Sequence, residues 1–438
     1  NRDVFSGAVG SELLRRTIRL MARNVAARSL STDYALYRPG ESVRVKLALH
    51  GPRGDAALDE PLTLTLTLDA PGYASAPLLT VRRQLNAGTP LPTERTFDWK
   101  VPQNAPDFIR ARAVLQNGAE ILDIIETGFC IASPKVIASG TRIRYRDNAY
   151  ELQPPGKPAT RTMLFGTDTY ANMFLSPSCS PLTWYRDLAA MRQYGLHMYE
   201  NLQYPPNGWK YTETEWRRLD ALIQLSQRFG LPYMAGLLIG VNVAVDDATL
   251  KAQADMCRSF AERYRKVPGL IYYLNGDFRL DMQDLPDIRR MWNDFLRQRY
   301  GSDEALRKAW GDEAAQEPLG KIPVGDYASA KSFSERVRDT RLFQTFLVRR
   351  WVSALTAAIR TVDKDHPITS EYYQRPYSGI DLRLSIDGMD AANFGYFGPP
   401  REDIANLLAT IKWNDMRRAG KTVNIGEFGV KTHDAWAQ

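Results

Sequence analysis

The sequence predicts an all-β sandwich followed by an α/β domain of the (β/α)8, TIM-like barrel type, and three observations carry that expectation. Apolar residues alternate at Val43, Val45, Leu47 and Leu49 and again at Leu62, Leu64, Leu66 and Leu68, the period of a half-buried strand. Beyond residue 160 the period changes to short apolar runs separated by long helical stretches, the mark of a parallel sheet. Seven such units follow one another over about 275 residues, a number that suits a barrel better than an open sheet.

Residues 1–30 form a helical segment in this reading, which suits the end of an upstream domain. Leu13, Leu14, Ile18, Leu20, Met21 and Val25 fall near helical spacing from residue 9 to 30, with arginines opposite. Residues 31–135 read as an immunoglobulin-like β-sandwich. Besides the two alternating runs, short strands are expected at 78–82, 94–98, 108–115 and 120–130, with Gly and Pro between them. Residues 136–160 are a polar linker ending in Pro154-Pro-Gly-Lys-Pro.

Residues 161–438 are the barrel. Its strands are expected at 162–167, 195–201, 231–239, 269–275, 366–371, 388–394 and 421–426, and its helices at 181–193, 213–229, 247–265, 285–299, 332–362 and 401–418. The closing strand is apparently missing from this chain, since only 11 residues follow Glu427. The expectation is that further chain or another subunit completes the barrel. Asn1 stands where a Met would begin a polypeptide, and no charged-then-apolar leader follows. A removed N-terminal piece or a fragment of a longer polypeptide is expected.

The composition excludes several classes. In 438 residues, 44% are hydrophobic and 24% charged, which is ordinary for a globular protein. No apolar run reaches the roughly 18 residues of a membrane span; Leu231 to Val245 is interrupted by Pro232 and Asn242. The net charge of +7 is mild for this length. Arginine pairs such as Arg217-Arg218 and Arg349-Arg350 have acids nearby, so solvated helix faces are favoured over a nucleic-acid stripe. The basic excess hints weakly at an anionic ligand. Cys130, Cys179 and Cys257 are too far apart for a disulfide framework or a CxxC metal site.

Candidate chemistry gathers just past the apolar runs, where a barrel carries its active site. Reading along the chain gives Asp168 and Tyr170, Glu200 and Asn201, Asn275 and Asp277, Glu371 and Tyr372, Asn393 and Tyr396, and Glu427. Carboxylates and amides bond hydroxyls, and aromatic faces such as Trp184, Tyr204, Trp209 and Trp436 pack on sugar rings. In Gly269-Leu-Ile-Tyr-Tyr-Leu-Asn-Gly-Asp277 an apolar strand runs into a carboxylate, although Asn-Gly is also a common turn. In Thr422-Val-Asn-Ile-Gly-Glu-Phe-Gly429 the carboxylate is flanked by glycines that let a ligand approach. Two carboxylates across a scissile bond are what glycoside hydrolysis requires.

Residues 160–438 resemble clan A glycoside hydrolases. Ile425-Gly-Glu-Phe-Gly429 is similar to their nucleophile segment. Trp184-Tyr-Arg-Asp-Leu-Ala-Ala-Met-Arg-Gln-Tyr-Gly-Leu-His197 and Tyr300-Gly-Ser-Asp-Glu-Ala-Leu-Arg-Lys-Ala-Trp-Gly311 resemble segments of family 42 β-galactosidases. The resemblance implies a retaining barrel enzyme with its acid/base at the end of strand four and its nucleophile at the end of strand seven. It also fits an accessory sandwich ahead of the barrel. The family pattern at strand four is Asn-Glu, whereas this chain has Asn275-Gly276-Asp277. Asp277 is one methylene shorter than Glu, so Glu371 or Glu200 are alternative acids.

Other chemistries find no support. There is no Gly-x-Ser-x-Gly elbow, no HExxH, no Asp-x-Asp-x-Asp loop, and no GxGxxG or Walker loop. His50, His197 and His366 read as structural, with His197 inside a buried strand. The expectation is therefore a retaining β-glycosidase or glycanase acting on a carbohydrate, without metal or other cofactor and without nucleic-acid or membrane partners. Glu427 is the expected nucleophile and Asp277 the acid/base, its pKa raised by burial or by the charge of Glu427. The other strand-end residues position substrate. A glycan-binding protein on a degenerate barrel is the rival, and a structural subunit of a larger assembly a more distant one. Sandwich plus barrel suggests a secreted or periplasmic location.

Overall fold

A computed structural model describes residues 8–22, 25–50, 58, 60–72, 76–89, 93–167, 179–201, 205–276, 280, 284–313, 316–325, 334–372, 386–397, 417 and 420–429. They fall into two compact units. One holds residues 1–136, 177–190 and 212–225, and the other holds 137–176, 191–211 and 226–438.

The first unit opens with helix α1 (Ala8–Ala22), followed by β1 (Ala26–Thr32), β2 (Leu36–Tyr37), β3 (Ser42–His50), β4 (Leu62–Asp69), β5 (Leu79–Leu85), β6 (Glu94–Lys100), β7 (Phe108–Asn117) and β8 (Glu120–Ile131). One sheet has the order β1-β3-β6 and the other β2-β8-β7-β4-β5, with β2 parallel to β8. The inward residues of both, including Val43, Val45, Leu47, Leu64, Leu66, Ile109 and Phe129, form a single buried core. The alternation read along β3 and β4 is thus the inside and outside of a sandwich.

One correction concerns residues 26–30, expected to prolong the N-terminal helix. They form β1, which pairs antiparallel with β3 from Ala26↔His50 to Thr32↔Val45. Val25 and Leu30 are buried in the sandwich core, and this pairing overrides the weak helical preference of Ala-Ala-Arg.

Two helices read as part of the barrel, α3 (Pro181–Gln193) and α4 (Glu213–Arg228), contribute residues 181–190 and 213–225 to the first unit. Tyr185 stacks on Phe108 at 4.3 Å. Gly128 permits the close approach, since a Cβ there would lie 3.0 Å from the Leu182 nitrogen. From α4, Arg217 donates to Glu41 at 2.7 Å and to the Leu36 carbonyl at 3.2 Å. Gln224 donates to the carbonyls of Asp107 and Ile131.

The linker region is also more ordered in secondary structure than its polarity suggested. A short helix, α2 (Pro134–Ala138), precedes strands β9 (Arg142–Arg146), β10 (Ala149–Gln153) and β11 (Thr160–Arg161), which form an antiparallel sheet. The β9–β10 turn puts Asp147 and Asn148 at φ 48° and 60°, the left-handed pair that a two-residue hairpin needs.

The second unit is built on parallel strands: β12 (Gly166–Thr167), β13 (Met198–Asn201), β14 (Tyr233–Gly236), β15 (Leu270–Tyr273), β16 (Ile368–Thr369), β17 (Glu371–Tyr372), β18 (Ala391–Phe397) and β19 (Thr422–Gly429). Each pairs with the next in chain order, apart from β16 and β17, which are two pieces of one strand. That strand is tied to β18 by bonds from Asp390 N to Ile368 O and from Asn393 N to Ser370 O, both 2.8 Å. The intervening helices are α5 (Asp247–Tyr264), α6 (Pro286–Tyr300), α7 (Asp303–Trp310) and α8 (Glu335–Arg360). Asp246 and Ser334 cap α5 and α8, accepting from Thr249 N and Val337 N.

Along the strands, Met198, Met234, Ile271, Tyr273 and Ala391 pack together with Ile143 and Tyr150 of β9 and β10. The alternate residues Tyr199, Tyr233 and Tyr272 lie on the opposite face, where Tyr272 meets Phe260 of α5. His197 is exposed and precedes β13 rather than lying inside it. No helix among the described residues is long and apolar enough to cross a membrane.

Candidate functional site

The strand ends bring a subset of the expected residues into one layer. Glu371 pairs with Asn393, and Asn393 with Asn424. The order of the ladder sets Asn275 beside this row, since Tyr273 pairs with Thr369 two residues earlier. Up to Asn424 the register of β18 and β19 is regular; then it shifts. Phe394 faces Ile425, but Gly395 faces Glu427. The extra residue, Gly426, puts Glu427 at a register position on the same face of the sheet as Asn393. Unbroken alternation from Asn424 would have put it on the other face. Bulges recur beside active sites for this reason.

Asn275 is fully buried. Its Nδ2 donates to the Val241 carbonyl at 2.8 Å, which fixes the amide, and its Oδ1 has no hydrogen-bond partner among the described residues. Asn393 is buried too, and its Oδ1 lies 2.9 Å from the Thr369 hydroxyl. Thr369 and Ser370 are fully buried hydroxyls between these two amides, and the sequence reading passed over both. Serine and threonine are too common at strand ends to stand out without the register.

The remaining expected residues divide. Glu200 is half-buried and shares the alternation of Met198 on the face of the inner cluster. Asn201 lies on the other face with Tyr199 and Tyr233, and its amide donates to the Tyr233 hydroxyl. Burial pushes that hydroxyl well above its ordinary pKa, so it stays protonated. Asn201 is thereby separated from the strand-end row and serves the packing of neighbouring strands. The backbones of Glu371, Tyr372, Tyr396 and Glu427 lie in β17, β18 and β19. Asp168, Tyr170 and Asp277 lie outside the described residues, as do Tyr204 and Trp436. No group of three or more His, Cys, Asp or Glu suited to a metal ion occurs among the described residues.

His366, read as structural, is so. Its Nδ1 lies 2.6 Å from Asp363 and its Nε2 2.7 Å from the Val267 carbonyl, and Tyr272 donates to the same Asp363 oxygen at 2.6 Å. The three cysteines are buried and form no disulfide among the described residues. Burial raises the Cys257 thiol well above its usual pKa, which makes it inert.

Amide side chains such as those of Asn275 and Asn393 can donate to and accept from hydroxyl groups, and comparison with known proteins finds a family match that includes the Tyr300 to Gly311 stretch quoted above. Residues 246–422 match the family model of glycoside hydrolase family 42, β-galactosidase. The matched stretch contains Asn275, Asp277, Glu371, Asn393 and Tyr396 and stops short of Glu427. The chain thus resembles family 42 glycoside hydrolases.

Among individual proteins, the β-galactosidase YesZ of Bacillus subtilis (strain 168) is 23% identical over 180 residues, covering 38% of this chain and 26% of that protein. Among solved structures, a Bacteroides uniformis β-glucuronidase aligns over 94% of this chain and 40% of its own, at 14% identity and a TM-score of 0.41. A β-galactosidase of the psychrophilic Marinomonas ef1 aligns over 53% of this chain and 40% of its own, at 14% identity and a TM-score of 0.40. The chain spans about a quarter of the curated relative and two fifths of these two structures.

Proposed function

We propose that this chain is the catalytic part of a retaining β-glycosidase built on a (β/α)8 barrel, with β-galactosides as the first substrate class to test. The strand order supports the barrel. In a parallel sheet the crossovers are right-handed. Strands added always on the same side therefore place every helix on one face and leave the other to be covered by the sheet closing on itself. The inner cluster around Met198, Ile271 and Tyr273 is the core such closure would contain. In the first unit, one strand parallel to the last strand and two otherwise antiparallel sheets support an immunoglobulin-like accessory domain.

The observation that supports the catalytic reading is the bulge that pairs Glu427 with Gly395, at a register position two residues beyond Asn393 and on the same face of the sheet. In this reading Glu427 attacks the anomeric carbon while Asp277 gives its proton to the departing oxygen. Asp277 then takes a proton from water, whose oxygen displaces Glu427 and releases the sugar. Asn275, Asn393, Glu200, Glu371 and Tyr396 would position hydroxyl groups.

The test is hydrolysis of nitrophenyl β-glycosides, the galactoside first, by the wild-type chain and by Glu427→Gln and Asp277→Ala. Turnover in the wild type and loss of about three orders of magnitude or more in Glu427→Gln is the expected result. Full activity in Asp277→Ala would move the acid role to Glu371 or Glu200. A second reading, glycan binding without hydrolysis, is favoured by Gly276, which places no side chain directly after Asn275. Binding that persists without turnover and is indifferent to Glu427→Gln would establish it.

A further inference from the structure

The regular ladder of β15 ends at Tyr273, and the chain beyond it is held by side chains of the neighbouring strand. Leu274 N still donates to the Thr369 carbonyl at 2.9 Å. At the next residue a single hydroxyl replaces a ladder rung. Ser370 Oγ accepts from Asn275 N–H at 3.0 Å and donates to the Asn275 carbonyl at 2.7 Å. Both residues are fully buried, so no water competes for these groups. One position earlier, the Thr369 hydroxyl lies 3.1 Å from the Ala391 carbonyl and 2.9 Å from Asn393 Oδ1. Two consecutive hydroxyls therefore hold the amides of the strands on either side.

We propose that Ser370 is a positioning residue of the glycosidase site: its reciprocal bonds to the Asn275 main chain set where the Asn275 amide sits. The inference rests on the function proposed above. A hydroxyl is the smallest side-chain group that can accept and donate at once, and both roles are used. The Asn275 amide is held at its other end by Val241 O, and its Oδ1, without a partner among the described residues, is the acceptor that Ser370 keeps in register with Asn393. Ser370 touches no reacting atom in this scheme and acts only through Asn275.

The experiment compares wild type, Ser370→Ala, Asn275→Ala and the double variant on a nitrophenyl β-galactoside, with kcat expressed per titrated active site and KM determined separately. Ser370→Ala is expected to lower kcat/KM tenfold or more. In the Asn275→Ala background the same change should have an effect within about twofold, because the group it positions is already gone. A merely structural role would lower the Tm and the number of titratable sites, leave kcat per site unchanged, and overturn the inference. Penalties that multiply in the double variant would overturn it too. Should Ser370→Ala not fold, Ser370→Cys, which keeps the volume and only a weak donor, carries the same comparison with the same expected loss. No turnover by the wild type would overturn the glycosidase reading and this inference together. Wild-type turnover with multiplying penalties overturns this inference alone.

Discussion

Trp310 donates its indole N–H to the carboxylate of Asp339 at 2.8 Å, deep between three helices. The same oxygen accepts from the Tyr300 hydroxyl at 2.5 Å, and the other carboxylate oxygen lies 2.7 Å from Arg299 Nε. Asp339 is fully buried. This explains the segment from Tyr300 to Gly311, one of the stretches that resemble family 42 enzymes, without any catalytic role. Gly301 ends α6 at φ 74°, Ser302 caps α7 by accepting from Ala305 N, and Asp303 accepts from Leu319 N. The segment is a helix-turn-helix corner closed on one carboxylate.

Removing that carboxylate strands the buried Trp310 indole, the half-buried Tyr300 hydroxyl and a half-exposed guanidinium. Asp339→Ala is therefore expected to cost about 3–5 kcal/mol, while Trp310→Phe, which loses one hydrogen bond and little volume, costs about 1–2 kcal/mol. Urea denaturation of the two variants checks the ranking. An Asp339→Ala midpoint equal to that of wild type would show that the corner is held by apolar packing alone.

Asp363 predicts an acid-sensitive step. Burial pushes its carboxyl upward, but the hydrogen bond and charge of His366 and the bond from Tyr272 outweigh it and hold the pKa below the usual range. With the folded value below the unfolded one, about 3.9, the stabilisation is fully present above that pH. It is lost as pH falls through the folded value. Unfolding free energy should decline below about pH 4, and Asp363→Asn should decline less steeply there while being less stable at pH 7. Identical acid slopes in urea titrations at pH 7, 4 and 3 would assign the acid loss to other groups.

Arg217 makes a third case. Its side chain is 11% exposed and bonds Glu41 through two nitrogens, Glu213 through Nε and the Leu36 carbonyl, with its guanidinium 4.2 Å from the Tyr34 ring. A lysine cannot reproduce that fork. Arg217→Lys is expected to destabilise the chain by about 1–3 kcal/mol, read as a lowered Tm. Far-UV circular dichroism should be unchanged at 20 °C.

Much of this was legible in sequence because burial imposes a period. The helices read at 181–193, 213–229, 247–265 and 285–299 end within one residue of α3 to α6, and β12 to β16 fall inside the apolar runs, while β17, β18 and β19 run one to three residues past them. Failures came where pairing partners decide. Ala26 to Thr32 is a strand only because β3 lies beside it. Arg142 to Arg146 alternates, but its arginines disguised a strand whose Ile143 is buried. At the site, the amides and carboxylates were recognisable as residue types. Their sorting was not: Asn201 and Glu200 are neighbours in sequence and lie on opposite faces, and the bulge at Gly426 reverses the face expected for Glu427.

Glycine substitutions give the last prediction, and they separate space from function. At Gly140 a Cβ would sit 1.9 Å from Gln227 Oε1, the atom that accepts from Gly269 N. Gly140→Ala must displace that side chain and should cost about 2 kcal/mol. At Gly276 the nearest atom to a Cβ is the Tyr273 hydroxyl at 3.6 Å, an ordinary contact, so nothing among the described residues requires glycine after Asn275. Gly276→Ala should change stability by less than about 1 kcal/mol. Gly276→Glu then becomes informative, because it supplies a carboxyl where the resemblance places the acid. If Asp277 already protonates the leaving group, a second carboxyl beside it gives no gain, and kcat/KM for a β-galactoside with a poor leaving group stays level or falls. If the chain lacks an acid, the same variant should raise turnover of that substrate while leaving that of the activated nitrophenyl glycoside nearly unchanged, since only the former needs a proton to depart. The ratio of the two rates, measured in wild type and variant, decides whether the chain already holds an acid or lacks one, and Asp277→Ala then tells Asp277 from Glu371 and Glu200.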